Sequence, residues 1–268
     1  MENLSANLNV MAAACKTAAR FMLRDFGEIE QLQSSIHGSE GFASASRIKT
    51  EKALADALLD ARPKFGLLSR SGETKGTDIS HRFIINAVDG FSNFARGVPF
   101  FAVSVALQQQ KNLVAAVVHN PVLDKMFWAE KGTGAFVSET RMTRRIRVSR
   151  RTDPAIAAIN VSGGSAGEIA ALAGSGAKAV TLGSDGLALA YLAAGMIDGY
   201  AGFSRDVFDL AAGIVLVKEA GGKIAAFDDE GRATERAFGA KTVIFENNYL
   251  QPDLTSIIIG KKSNQGLK

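Results

Sequence analysis

One cysteine in 268 residues excludes an intramolecular disulfide. Cys15 stands at helical spacing from Met11 and Ala18 and is read as a packing residue. No charge-free stretch of about 18 apolar residues occurs, so no transmembrane helix is expected. The N-terminal Glu2 with its Asn and Ser neighbours does not read as a signal peptide, and the expected location is the cytoplasm. Charge of one sign is scarce as well: 31 Lys and Arg against 27 Asp and Glu leave +4. That excess is too dilute to imply nucleic acid by itself, although a pI near 9.2 permits an anionic partner. His37, His81 and His119 have no carboxylate or cysteine at metal-ligand spacing and are assigned ordinary surface or turn roles. The Gly163-Gly164 and 174–176 stretches lack the strand-to-helix context of a dinucleotide loop, and no repeat is visible.

What remains is 47% hydrophobic and 22% charged, enough to bury a large core in one large or two small domains. Leu8, Met11, Cys15, Ala18 and Met22 predict an amphipathic helix over 5–26, stopped by Gly27. A second helix is predicted from Ser44 to Ala61, ending before Pro63. The period then changes. His81–Val88 reads as a buried strand entering the Asp89-Gly90 turn, followed by β segments at Phe101–Gln108, Leu113–His119, Met126–Ala129 and Ala135–Val137. Six arginines between Arg141 and Arg151 mark a solvated hairpin and linker, without the interleaved aromatics that base stacking would need. The expected division is an N-terminal α+β subdomain at 1–145 and a C-terminal α/β subdomain at 146–268. In the second half, Ala155–Val161 and Met196–Ala201 read as strands, and Leu187–Gly195 and Asp209–Ala220 as helices. The tail from Gly260 to Gly266 is expected to fray.

Two segments carry chemistry. The first is Asn86-Ala-Val-Asp-Gly-Phe-Ser-Asn-Phe94 with Gly97-Val-Pro-Phe-Phe-Ala-Val-Ser104, and the second runs from Phe208-Asp-Leu-Ala-Ala-Gly to Glu219-Ala-Gly-Gly222. Together with Gly183-Ser184, Tyr191-Leu-Ala-Ala-Gly195 and Asp198-Gly199, they resemble the signatures of the inositol monophosphatase family, in family order from about residue 5 to 260. The resemblance implies a layered αβαβα sandwich, usually homodimeric, and hydrolysis of phosphomonoesters with Mg²⁺. A cluster of Mg²⁺ ions needs oxygen ligands whose charge only the ions can neutralise. The glycine after the second aspartate permits a tight turn, and the backbone N–H groups beyond it cradle phosphate.

Carried over residue by residue, the carboxylates thin out. The first-signature aspartates fall on Asn86 and Asp89, and the second-signature aspartate falls on Asp209. The family's Glu-Glu pair falls on Ser69-Arg70, its threonine after Asp-Gly on Phe91, and the aspartate partnered with that threonine on Arg47. Its sugar-contacting glutamate falls on Gly202. Asp89 and Asp209 are the retained catalytic and residual metal positions, with Asn86 and Ser69 in place of family ligands. Read without the family, Asp89 could cap the turn and helix, and Asp209 could be an N-cap or first-turn acid. An anion would be held by Gly90, Phe91 and Ser92, with Asn93 completing the turn and Arg70 or Arg47 supplying positive charge. The expectation is a binding or regulatory protein with little or no phosphatase activity and no cofactor. The alternative is a working Mg²⁺-dependent inositol-1-monophosphatase-type enzyme. Expected partners are a second copy of the chain and an anionic small molecule. A bacterial subset of the family acts with transcription antitermination factors and RNA, and the arginine-rich 141–151 segment keeps that partner class open.

Overall fold

A computed structural model of the chain describes residues 4–32, 38–140 and 142–260. His37, Arg141 and the tail beyond Gly260 lie outside the described residues.

Helix α1 (Ala6–Leu32) buries the predicted face, with Met11, Cys15, Ala18 and Met22 all at 0% exposure. Gly27 does not end it. A helical glycine costs only about 1 kcal/mol against alanine, and buried Phe26 and Ile29 on either side of it hold the additional turn against the core. Helix α2 (Glu40–Ala61) starts a turn before the predicted Ser44 and stops as expected before Pro63. A hairpin follows, β1 (Phe65–Ser69) and β2 (Gly72–Thr74), then β3 (Asp78–Asp89), the short helix α3 (Phe91–Ala95) and β4 (Ala102–Gln109). The meander continues through β5 (Asn112–Asn120), β6 (Lys125–Glu130), β7 (Gly134–Glu139) and β8 (Met142–Ile146). These eight strands form one sheet in the order β2-β1-β3-β4-β5-β6-β7-β8. The arginine-rich segment is the β7–β8 hairpin arm and the connection leaving it.

Beyond a single 3₁₀ turn at Pro154–Ile156, the remaining chain builds β9 (Ala158–Ser162), α4 (Ala166–Ala173), β10 (Lys178–Val180), α5 (Asp185–Ala193), β11 (Gly199–Phe203) and α6 (Val207–Glu219). It closes with β12 (Lys223–Phe227), β13 (Thr242–Glu246) and α7 (Leu254–Ile258). The second sheet runs β10-β9-β11-β13-β12. The strand predicted from Met196 starts at Gly199, because Gly195 and Met196 still turn back onto the end of α5.

Alternation along the strands sorts the layers. On β3, Phe83 and Ile85 pack with α1 and α2, whereas Ile84 faces the cluster that holds α5 and α6. On the second sheet, Tyr200, Val243 and Phe245 join that same central cluster, and Ile159, Ala201 and Ile244 pack outward with α4 and α7. The result is helices, sheet, helices, sheet, helices: an αβαβα sandwich. Both faces of the central strands are covered, which is why they read as nearly continuous apolar runs.

Candidate functional site

The end of β3 builds the site. Asn86 lies opposite Ser104 and Asp89 opposite Ala102, so β3 carries one more residue than β4 across this stretch. Residues three apart would point to opposite faces of a regular strand. The bulge brings Asn86 and Asp89 to the wall of one cleft. Gly90 then turns the chain with φ 82°, and a Cβ there would sit 2.9 Å from that of Ser184. Both conditions require glycine. Asn93 Nδ2 donates to the carbonyls of Phe100 and Leu182 at 2.8 Å each, so its side chain ties loops together instead of facing a ligand.

The cleft measures about 380 Å³. Arg47 comes from α2, Arg70 from the turn after β1, Asp185 from the start of α5, and Arg205 and Asp209 from the β11–α6 junction. Three carboxylates therefore meet three guanidinium groups among its lining residues. Arg70 is the hub. Its Nη1 lies 2.6 Å from Asp206 Oδ2, its Nη2 lies 2.5 Å from Asp209 Oδ1, and the guanidinium stands 5.0 Å over the Phe208 ring. Arg205 reaches to 3.5 Å from Asp185 Oδ2 while its Nε donates to the Phe203 carbonyl. The Arg47 guanidinium lies 5.7 Å over the Phe91 ring, so these two side chains meet in the cleft.

Asp89 is 3% exposed. Its Oδ2 accepts from the Ser184 hydroxyl and from Leu187 N at 3.3 Å, so Asp89 caps the start of α5 and not the turn that follows it in sequence. Burial first, then the neighbouring Asp185 and Asp209 carboxylates, raise its pKa to about 7. Burial and Asp185 raise Asp209 to about 6 despite the opposing pull of Arg70. Asp206 is the N-cap of α6, accepting from Phe208 N at 2.9 Å and Asp209 N at 3.1 Å, which leaves Asp209 as a first-turn acid.

Two expected members lie elsewhere. Ser69 is buried against α2, where its hydroxyl donates to Glu51 Oε1 at 2.7 Å. Ser69 shares the face of β1 that Leu67 turns toward α1 and α2, whereas Arg70 lies beyond the strand in the turn and reaches the cleft. Ser92 is exposed on α3 and does not line it. His119, assigned a surface or turn role, is instead buried on β5, where desolvation lowers its pKa to about 4. His81, assigned the same role, is a half-buried residue of β3, stacked on the Phe65 ring with its Nδ1 2.8 Å from Asp78 Oδ2. Sequence reasoning missed Asp185, Arg205 and Asp206. Asp185 directly follows the recognised Gly183-Ser184 pair, and the other two lie between Gly202 and Asp209, so both segments held a readable signal. Among the described residues, no group of three or more His, Cys, Asp or Glu side chains is placed to hold a metal ion.

A five-layer α/β sandwich with a bulged Asp-Gly strand end, facing a helix opened by an acidic first turn, defines a class of phosphatase-fold proteins. The chain belongs to the inositol monophosphatase family, whose model matches residues 4–264. It is 38% identical over 266 residues to the inositol-1-monophosphatase of Rhizobium meliloti, covering 95% of this chain and 96% of that one. The Nus factor SuhB of Escherichia coli is 30% identical over 235 residues, 82% of this chain and 85% of that one. The crystal structure of the extragenic suppressor protein suhB from Bartonella henselae superposes with a TM-score of 0.83 at 37% identity, over 95% of this chain and 99% of that one.

Proposed function

We propose that this protein acts by binding or regulation, with little or no phosphatase activity, because its metal site has been rebuilt around guanidinium groups. The observation that carries this reading is the Arg70 fork: one cation already bridges Asp206 and Asp209 at 2.6 and 2.5 Å. Asp209 stands where the family's second-signature aspartate would hold metal. A Mg²⁺ ion there would have to displace Arg70 from Asp209 and bind beside a fixed positive charge. At about 4 Å and an effective dielectric of about 20, that repulsion is worth roughly 4 kcal/mol per unit charge and twice that for a divalent ion, before screening. The oxygens left for it, Asp89, Asp185 and the Asn86 carbonyl, do not fit a multi-ion cluster while Arg47, Arg70 and Arg205 occupy the same cleft. The ligand class that suits this arrangement is a small anion bound without metal.

Titrating Mg²⁺ by calorimetry and assaying inositol phosphate hydrolysis on one preparation tests this. The expected result is no site saturating in the low-millimolar range, and turnover lower by about 10³ or more than that of a relative with the full carboxylate set, as befits lost transition-state charge stabilisation. Saturable Mg²⁺ binding with robust turnover abolished by Asp89→Ala supports the Mg²⁺-dependent enzyme instead.

The family membership supports a homodimer in the cytoplasm. The relatives named Nus factor support a partner in the transcription machinery or RNA, with exposed Arg144 and Arg145 on β8 as the surface to mutate. Arg151 belongs elsewhere, since it pairs with buried Asp198 at 2.8 Å. Among the described residues no helix is long and apolar enough to cross a membrane.

A further inference from the structure

A second and larger concavity, about 780 Å³, lies away from the cleft just described. Its floor is apolar: Leu113 from β5, Ile214 and Val215 from α6, Ile224 from β12 and Phe238 from the β12–β13 loop. Its rim carries Lys111 on the β4–β5 turn, Lys131 on the β6–β7 turn, Lys218 on α6 and Arg236 on the loop. Among the described residues none of these four cations takes part in an ion pair, unlike Arg70 and Arg205 in the cleft. Two carboxylates share the rim. Glu219 is fixed in place, accepting from Gly132 N and Gly134 N at 3.0 Å each, and with Glu235 it leaves the rim an excess of positive charge, four cations against two carboxylates.

An apolar floor ringed by unpaired cations on four separate elements asks for a ligand with apolar anchors and distributed negative charge. We propose that this groove docks an acidic peptide segment with hydrophobic anchor side chains, presented by a protein partner. A second copy of the chain fits poorly, because a two-fold contact through this patch would set the same lysines against one another. Nucleic acid fits poorly too: Phe238 is the one aromatic side chain among the lining residues, and bases need stacking platforms.

The test uses the full chain and a fluorescein-labelled dodecapeptide in which leucines alternate with pairs of aspartate and glutamate, followed by anisotropy at low and high salt. Controls are the same peptide with serine for leucine and a single-stranded DNA dodecamer. The leucine peptide should bind best and weaken with salt. Combined Lys131→Glu and Lys218→Glu should weaken it about tenfold or more, as expected for reversed charges facing an oppositely charged partner. Phe238→Ala should weaken it several-fold, and Arg47→Ala should leave it unchanged. All three substituted groove side chains are exposed, so the melting temperature should hold. Equal binding of the serine peptide, tighter binding of the DNA, or unchanged affinity in the charge-reversed protein would each overturn the proposal. None of these outcomes bears on Mg²⁺ binding in the cleft.

Discussion

Replacing Asp89 with asparagine isolates the electrostatic state of the cleft. Burial and the two nearby carboxylates raise this acid from its ordinary 3.8 to about 7. Between those values the folded chain holds a proton that the unfolded chain has lost, so stability falls as the pH rises through the window. Below pH 3.8 nothing is lost, and above pH 7 the whole penalty is present. A rise of about three pKa units at about 1.36 kcal/mol each amounts to roughly 4 kcal/mol. Asparagine keeps the shape and an oxygen to accept from the Ser184 hydroxyl and Leu187 N–H, but carries no charge to desolvate. By pH 5 the parent has passed through about a third of the window. The stability of Asp89→Asn relative to the parent should therefore grow by about 3 kcal/mol between pH 5 and pH 8, with most of the gain reached by pH 7. Urea unfolding of both proteins in EDTA at several pH values measures it, and comparing across pH cancels any fixed cost of the amide. An advantage independent of pH, or one that reverses at pH 8, would mean that Asp89 is ionised and paired with a cation at neutrality. The metal-free account of the cleft would then fail.

Asn86→Asp alone should not restore hydrolysis, because the new carboxylate faces three guanidinium groups and pairs with them before it can recruit Mg²⁺; a large gain in turnover would show that the arginines yield. Inorganic phosphate should bind weakly, lose affinity with salt and ignore EDTA. Arg47→Ala should weaken it more than Arg70→Ala, since Arg70 is already committed to two carboxylates while Arg47 rests on the Phe91 ring; calorimetry showing the reverse order would reassign the anion's partner. Asn93→Ala strips one donor from two carbonyls and should lower stability by about 1–3 kcal/mol in denaturant unfolding. No change would mean that the loops at Phe100 and Leu182 are held by other contacts.

Much of this architecture is legible because burial on both faces writes long apolar runs into β3, β4 and β5, and because α1 repeats its apolar residues at three and four. The elements that escaped are short. β13 is five residues, Thr-Val-Ile-Phe-Glu, too few for periodicity to distinguish strand from helix. Helix α4 announces itself differently, through a capping box in which Ser165 and Glu168 serve each other's backbone, a signal that composition alone hides. The extension of α1 past Gly27 depends on what Phe26 and Ile29 touch, which only the tertiary structure supplies. In the cleft, Asp89, Asp209, Asn86, Arg47, Arg70 and Phe91 converge, whereas Ser69 is turned away by strand alternation. Asp185 and Arg205 arrive from segments roughly a hundred residues distant from β3, and no local pattern reports such convergence.

The side chains that line the cleft also depend on one another. Where the resemblance places a sugar-contacting glutamate, a Cβ on Gly202 would lie 2.6 Å from Tyr200 Cε1 and 2.9 Å from both the Tyr200 hydroxyl and Arg205 Cγ. No side chain fits at that position while Tyr200 and Arg205 stand where they do. Arg205 in turn sits beside Asp185, and Asp185 bears on the protonation of both Asp89 and Asp209. Arg70 holds Asp209 and Asp206 together, and Asp206 caps the helix that carries Asp209. Arg70 is 33% and Asp206 45% exposed, so losing one partner here costs less than the roughly 3–5 kcal/mol of a fully buried pair. Removing Arg70 or Arg205 alone would leave carboxylates without their partners, and a side chain at Gly202 would clash. On the proposed metal-free reading, the cleft is a second self-consistent arrangement of the family's active site and not the first one with pieces missing.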